Sequence, residues 1–126
     1  MIIEQRRALV ASSTPAARAA EERLRATCEF VPLAEADMIV ALGGDGFMLQ
    51  VLHQMLEAHA IRPVFGMNLG TVGFLMNEWR LERLEQRIAE AKPFKVNPLR
   101  MNVTTVDGED ISLPAINEVS LLRETR

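Results

Sequence analysis

A single cysteine, Cys28, leaves this 126-residue chain unable to close a disulfide within itself or to build a thiolate metal cluster from its own side chains. Placed near the end of a helix-forming run, it reads as a small apolar residue. Tyrosine is absent, tryptophan occurs once, and no run of basic residues appears. Nucleic-acid binding shows itself as a basic patch with interleaved aromatics, and a net charge of −3 points the other way, so no nucleic-acid partner is expected. Long hydrophobic runs are missing as well. The stretch Ala8-Leu9-Val10-Ala11 is shorter than the ~7–15 residues of a signal-peptide core. Nothing approaches the ~20 apolar residues of a membrane span. A cytoplasmic protein with no membrane partner is the expectation. His53 and His59 stand six positions apart, which puts them on different helix faces, so no zinc pair with helical spacing is read here.

What is present is the balance of a soluble domain, 48% apolar and 25% charged, enough to build a packed core. Residues 8–11 predict a short buried strand. Ser13 or Thr14 can cap the helix that follows, with Pro15 at its first position, where a missing N–H costs nothing. The Ala- and Arg-rich run to about Thr27 favours helix. Phe30-Val31 reads as a very short strand, and Asp37 to Leu42 as a longer one. That second run is almost unbroken in its apolar character, as a sheet covered on both faces requires.

Beyond the glycines, Phe47 to Ala58 predicts a helix with Phe47, Met48, Val51, Leu52, Met55 and Leu56 facing inward and His53 on the polar stripe. Pro63 to Met67 reads as the next strand. Asn77 is placed as the cap of a helix from about Trp79 to Ala91, with Leu81, Leu84, Ile88 and Ala91 on one face. From Phe94 the period changes to alternation. Asp107-Gly108 signals a hairpin turn, and a further strand is expected around Ile116 to Leu122. The expected fold is therefore α/β, a Rossmann-like parallel sheet with flanking helices over residues 1–92. Residues 93–126 then open a second, β-rich domain.

Gly43-Gly44-Asp45-Gly46 lies between a buried strand and a helix start, where amide N–H groups and the helix dipole favour an anion. Glycines there permit positive φ and let a phosphate approach without a Cβ in the way. An ordinary strand-to-helix turn with Asp45 as a cap fits the same four residues. A carboxylate is electrostatically wrong for passive phosphate binding, however. It suits orienting a hydroxyl, accepting its proton, or helping to hold Mg²⁺. The loop at Asn68–Phe74 also follows a strand, so the two loops should line one crevice.

Leu42-Gly43-Gly44-Asp45-Gly46-Phe47-Met48-Leu49, Gly66-Met67-Asn68-Leu69-Gly70-Thr71-Val72-Gly73-Phe74-Leu75 and Ile116-Asn117-Glu118-Val119 occur in the order and spacing of bacterial-type NAD kinases. The chain resembles the N-terminal portion of that family over nearly its whole length. GGDG alone is shared with lipid and sugar kinases, whereas the second loop and the Asn-Glu pair are more specific. The resemblance implies phosphoryl transfer from ATP, or from polyphosphate in some members, to the adenosine ribose 2′-hydroxyl of NAD, with Mg²⁺ or another divalent cation. It further implies Asp45 as general base at the ribose, and Gly44 and Gly46 as room for the phosphates. Asn68 and Phe74 would belong to the second loop, with Phe74 against adenine, and Asn117 and Glu118 would bind NAD ribose and diphosphate-side groups. The family continues into a larger β-rich domain. This polypeptide alone is accordingly expected to have little or no activity, and its open strand edges to give a homo-oligomer. The alternatives are a non-catalytic nucleotide-binding or assembly fragment, and a lipid or sugar kinase sharing only GGDG.

Overall fold

The structure, a computed structural model, describes residues 5–70, 75–96, 102–104, 108, 110–112 and 119–124. Strand β1 (Arg7–Ala11) leads through helix α1 (Pro15–Thr27) and a short 3₁₀ turn (Leu33–Glu35) to β2 (Met38–Gly43). Helix α2 (Asp45–Glu57) then connects to β3 (Val64–Asn68), and the two-residue strand β4 (Asn77–Glu78) precedes helix α3 (Leu84–Glu90). Strands β5 (Lys92–Val96), β6 (Asn102–Thr104), β7 (Asp110–Ser112) and β8 (Val119–Arg123) follow. The main sheet runs β1-β2-β3-β8-β5, with β4 also on β3. Strands β1, β2, β3, β4 and β8 are parallel, and β5 closes antiparallel on β8. This is the α/β architecture expected from the sequence.

The apolar run at β2 explains its central place, because all six of its residues are buried. Side chains alternate between faces along a strand. Met38, Val40 and Leu42 pack with Leu9 of β1, Ala20 and Leu24 of α1, and Leu84 and Ile88 of α3. Ile39 and Ala41 meet Met48, Val51, Leu52 and Met55 of α2 on the other face. Thus α1 and α3 cover one side of the sheet and α2 the other.

That division has a visible cause at β1. The Arg6 carbonyl faces β2 and accepts from the N–H groups of Asp37 (2.8 Å) and Met38 (3.2 Å). The Arg7 carbonyl points to the opposite edge and accepts from Val31 N–H at 2.8 Å. The chain therefore leaves β1 outward through α1 and touches its outer edge at Val31. It then crosses back to form β2 on the inner edge. Beyond β2 it moves on to β3, so the direction of winding reverses between β1 and β2. Phe30-Val31, expected as a strand, makes only this single rung, because Pro32 has no N–H to continue a ladder. Arg25 Nη2 covers the next open carbonyl, Leu9 O, at 3.3 Å.

Thr14 is the cap of α1, its hydroxyl oxygen accepting from Ala17 N–H at 3.3 Å, and Pro15 opens the helix as expected. The expected helix from Trp79 is corrected to the shorter α3. Arg83 holds a left-handed φ of 59°, through which a right-handed helix cannot run. Asn77 is not a helix cap but an extended, buried residue of β4. The face foreseen for that helix survives in part, since Leu84 and Ile88 are buried and Leu81 and Ala91 pack against the same cluster. The hairpin signal at Gly108 is met by β6 and β7, paired antiparallel around it, with φ of 82° at the glycine. Strands β5 and β8, expected to open the second unit, add to the same sheet as β1–β3. No helix among the described residues is long and apolar enough to cross a membrane.

Candidate nucleotide cleft

Reversal of winding between β1 and β2 makes the loops leaving their carboxyl ends diverge to opposite faces, and open α/β sheets bind ligands at such a point. A cleft of about 270 Å³ lies there, lined by Ser12, Thr14, Ala16, Gly43, Gly44, Asn68, Leu69 and Gly70. Register fixes its floor. Gly43 is paired with Asn68, and the next amide, Leu69 N–H, donates to Gly43 O at 3.0 Å. Asn68 is 7% exposed, and its Oδ1 accepts from Gly70 N–H at 2.7 Å, which folds the chain back over the end of β3.

Two helix N-termini meet this cleft, α1 at Thr14 and Ala16 and α2 at Gly44. Gly44 occupies the capping position of α2 and brings no side-chain bond to it. The partial positive charge of both ends favours an anion. Ser12 Oγ and Thr14 Oγ1 stand 3.2 Å apart and add hydroxyls along the wall. These two residues were not singled out as site residues from the sequence. The signal for them is the position of β1 next to β2, which places the β1–α1 loop beside the glycines.

The glycines divide into two kinds. A Cβ on Gly43 would meet Phe47 Cδ2 at 2.8 Å and its Cβ and Cγ at 2.9 Å, so Gly43 is bare because α2 packs on it. A Cβ on Gly44 or Gly46 would meet nothing within 4 Å. Gly44 has φ −128° and ψ −173°, and Gly108 is the only glycine with positive φ among the described residues. The permissive φ expected of this loop is therefore not used. Its glycines supply close packing at one position and clear space at the next.

Asp45 is the first residue of α2, not its cap. Its Oδ1 accepts from Leu75 N–H at 3.0 Å, tying the start of α2 to the chain behind β3, and it is not among the cleft-lining residues. Gly44 and Asn68 thus share the cleft and Asp45 adjoins it. Gly46 is exposed one residue further on. Phe74, Asn117 and Glu118 lie outside the described residues. His53 is at the surface, with Nε2 2.9 Å from Glu57 Oε1, away from the cleft. A larger hollow of about 400 Å³ is lined by Arg80, Arg83 and Arg87 with Glu82, Glu90 and Glu124, plus Gln86, and shares no residue with the glycine loops. Its charges balance, which makes it a poorer anion site than the smaller cleft. Among the described residues no group of three His, Cys, Asp or Glu side chains is arranged to hold a metal.

Comparison with known proteins adds independent findings. The family described as the ATP-NAD kinase N-terminal domain matches residues 4–91. An NAD kinase of Rhizorhabdus wittichii is 63% identical over 123 residues, which is 98% of this chain and 48% of that protein. An NAD kinase of Zymomonas mobilis is 60% identical over 96% of this chain and 47% of its own length. One from Xylella fastidiosa is 44% identical over 99% of this chain and 47% of its own. The chain spans about half the length of the curated relatives it matches.

Proposed function

This chain belongs to the NAD kinase family, and from that membership we propose that it carries the nucleotide-binding front of an enzyme that phosphorylates the adenosine ribose 2′-hydroxyl of NAD to give NADP. The observation that carries most weight is the junction of a glycine-floored cleft with a carboxylate at the first position of the adjoining helix. Clear space at Gly44 and Gly46 suits phosphate oxygens close to the backbone. Asp45 is the general base, taking the 2′-hydroxyl proton as the oxygen attacks the terminal phosphorus of ATP or polyphosphate. The bond to the bridging oxygen breaks, and ADP, or the polyphosphate shortened by one phosphate, leaves from the far side. Asn68 and Phe74 complete the second loop, Phe74 offering a flat apolar surface to adenine. Asn117 and Glu118 bind ribose and diphosphate-side groups.

A divalent cation fits a site of this composition when the donor's phosphates hold it and one carboxylate contributes, since Mg²⁺ is commonly bound that way. It would neutralise charge on the transferred group; Asp45 is the side chain placed to reach it. The family match ends at residue 91, next to the change of period at residue 93. That supports reading 93–126 as the start of a second, β-rich domain whose first strands dock on the parallel sheet. The 126 residues alone have little or no activity, because in-line transfer needs both reactants held and water excluded. We place the protein in the cytoplasm and expect it to self-associate.

The test is direct. The natural full-length product carrying this chain is incubated with ATP, Mg²⁺ and NAD, and NADP is measured with an NADP-specific dehydrogenase. NADP should appear, at a far lower rate with the isolated 126 residues. No NADP from the full-length product, with ATP or with polyphosphate, refutes the assignment.

A further inference from the structure

Strand β8 pairs with β3 at a single position, Val64 with Leu121, because β4 takes over the same edge of β3 at Met67 and Asn68. Ladder bonds that would hold β8 are therefore missing where the two strands part. Asn77 stands in the fork. It is 2% exposed, and its Nδ2 donates to Gly66 O at 3.0 Å and to Leu122 O at 2.9 Å. Its Oδ1 accepts from Glu124 N–H at 2.8 Å. One side chain thus joins the backbones of β3 and β8.

Arg87 reinforces the join from α3. Its Nε donates to the Glu124 carboxylate, Nη2 to Glu78 O at 2.7 Å, and Nη1 to Arg80 O at 3.1 Å. The guanidinium also lies over the Phe65 ring, 5.6 Å from its centroid. A planar fork with several fixed donors can serve these acceptors together, which a lysine cannot.

The join has two ends that matter for chemistry. Asn77 follows Leu75 by two residues, and Leu75 N–H holds the Asp45 carboxylate. β8 begins at Val119, directly after Asn117 and Glu118 in the chain. We propose that Asn77 is a positioning residue, seconded by Arg87, that locks the strand following Asn117-Glu118 to the segment holding Asp45. It thereby holds β8 in one register with the segment that carries the Asp45 carboxylate. The kinetic part of this inference rests on the proposed phosphoryl transfer; the mechanical part does not.

The experiment compares Asn77→Ala and the milder Arg87→Lys with wild type in the natural full-length product. Amide hydrogen exchange should quicken together at Leu75 and at Ser120–Glu124, while Ile39–Leu42 in β2 stay slow. With ATP and NAD as substrates, KM for NAD should rise about tenfold and KM for ATP stay within about twofold, since a displacement of about 1 Å suffices for a large loss. If Asn77→Ala does not fold, Arg87→Lys carries the same readouts at smaller size. Independent exchange at the two ends overturns the proposal, as does joint exchange with KM for NAD unmoved. Absence of NADP formation in wild type refutes the assignment of function, and the exchange data still decide whether the two ends are coupled.

Discussion

Gly44→Ala separates ligand space from folding. Gly44 is extended, a conformation alanine adopts freely, and a built Cβ meets nothing within 4 Å. Loss of unfolded-state freedom should stabilise the variant by about 0.4–1 kcal/mol. Alanine is a poorer helix cap than glycine by about 0.5–1 kcal/mol, which offsets the gain. The net change is then within about 0.5 kcal/mol, a shift of at most about 2 °C in thermal midpoint, and less the longer the product. The methyl group occupies the space assigned to phosphate. Losing one charge-assisted backbone bond to a phosphate oxygen costs about 1.5–3 kcal/mol, or about ten- to hundredfold in affinity. Thermal melts and calorimetric titration of ATP on the natural full-length product measure both quantities. Unchanged melting with ATP affinity within about twofold of wild type would refute the phosphate assignment. A collapse in stability would instead show that the position is packed.

Asp45→Asn keeps the side chain's size and its acceptor for Leu75 N–H, so melting should be preserved while kcat for NADP formation falls about 10²–10⁴-fold; near-normal turnover would reduce Asp45 to a structural tie. Gly43→Ala should behave oppositely to Gly44→Ala, losing about 1–3 kcal/mol in denaturant titration, because Phe47 Cβ at 2.9 Å cannot yield without moving the first turn of α2. The backbone N–H of Arg6 is the main influence holding Asp37 below its ordinary value of 3.8, with the Arg6 guanidinium adding to it against a desolvation that acts the other way. A depressed carboxyl pKa stabilises the fold above the unfolded value and ceases to do so as pH falls through the folded one. The melting difference between wild type and Asp37→Asn should therefore be present at neutral pH and vanish in strong acid, and a difference that persists in acid would contradict it.

Features that depend on neighbours in the chain were legible in the sequence. The unbroken apolar run became the buried β2, Thr14 and Pro15 opened α1, and Gly108 marked a real turn. Position of the glycine loop between strand and helix followed from these. Features set by distant partners were not legible. Asn77 looks like a helix cap until its acceptors and donor, 11, 45 and 47 residues away, are brought to it by the sheet. Ser12 and Thr14 enter the cleft only because β1 lies beside β2, a pairing of residues about 31 positions apart that no local pattern announces. The left-handed turn at Arg83 carries no local signal either, since the residue is neither glycine nor asparagine.

Gly66 links the packing of the sheet to the chemistry at its edge. A Cβ there would lie 2.4 Å from Met48 Cε and 2.5 Å from Met76 Sδ. Met48 sits one turn after Asp45 on α2, and Met76 sits between Leu75 and Asn77. Both are almost fully buried against the same face as Ile39 and Val64. Absence of a side chain on β3 thus lets α2 and the segment at residues 75–78 close over one spot. That closure brings Leu75 N–H within 3.0 Å of the Asp45 carboxylate. Bare positions at 43 and 66 position the carboxylate through packing, and bare positions at 44 and 46 leave the space beside it open. A glycine-rich sequence read only as a flexible phosphate loop would merge these two roles, which act through opposite physical effects.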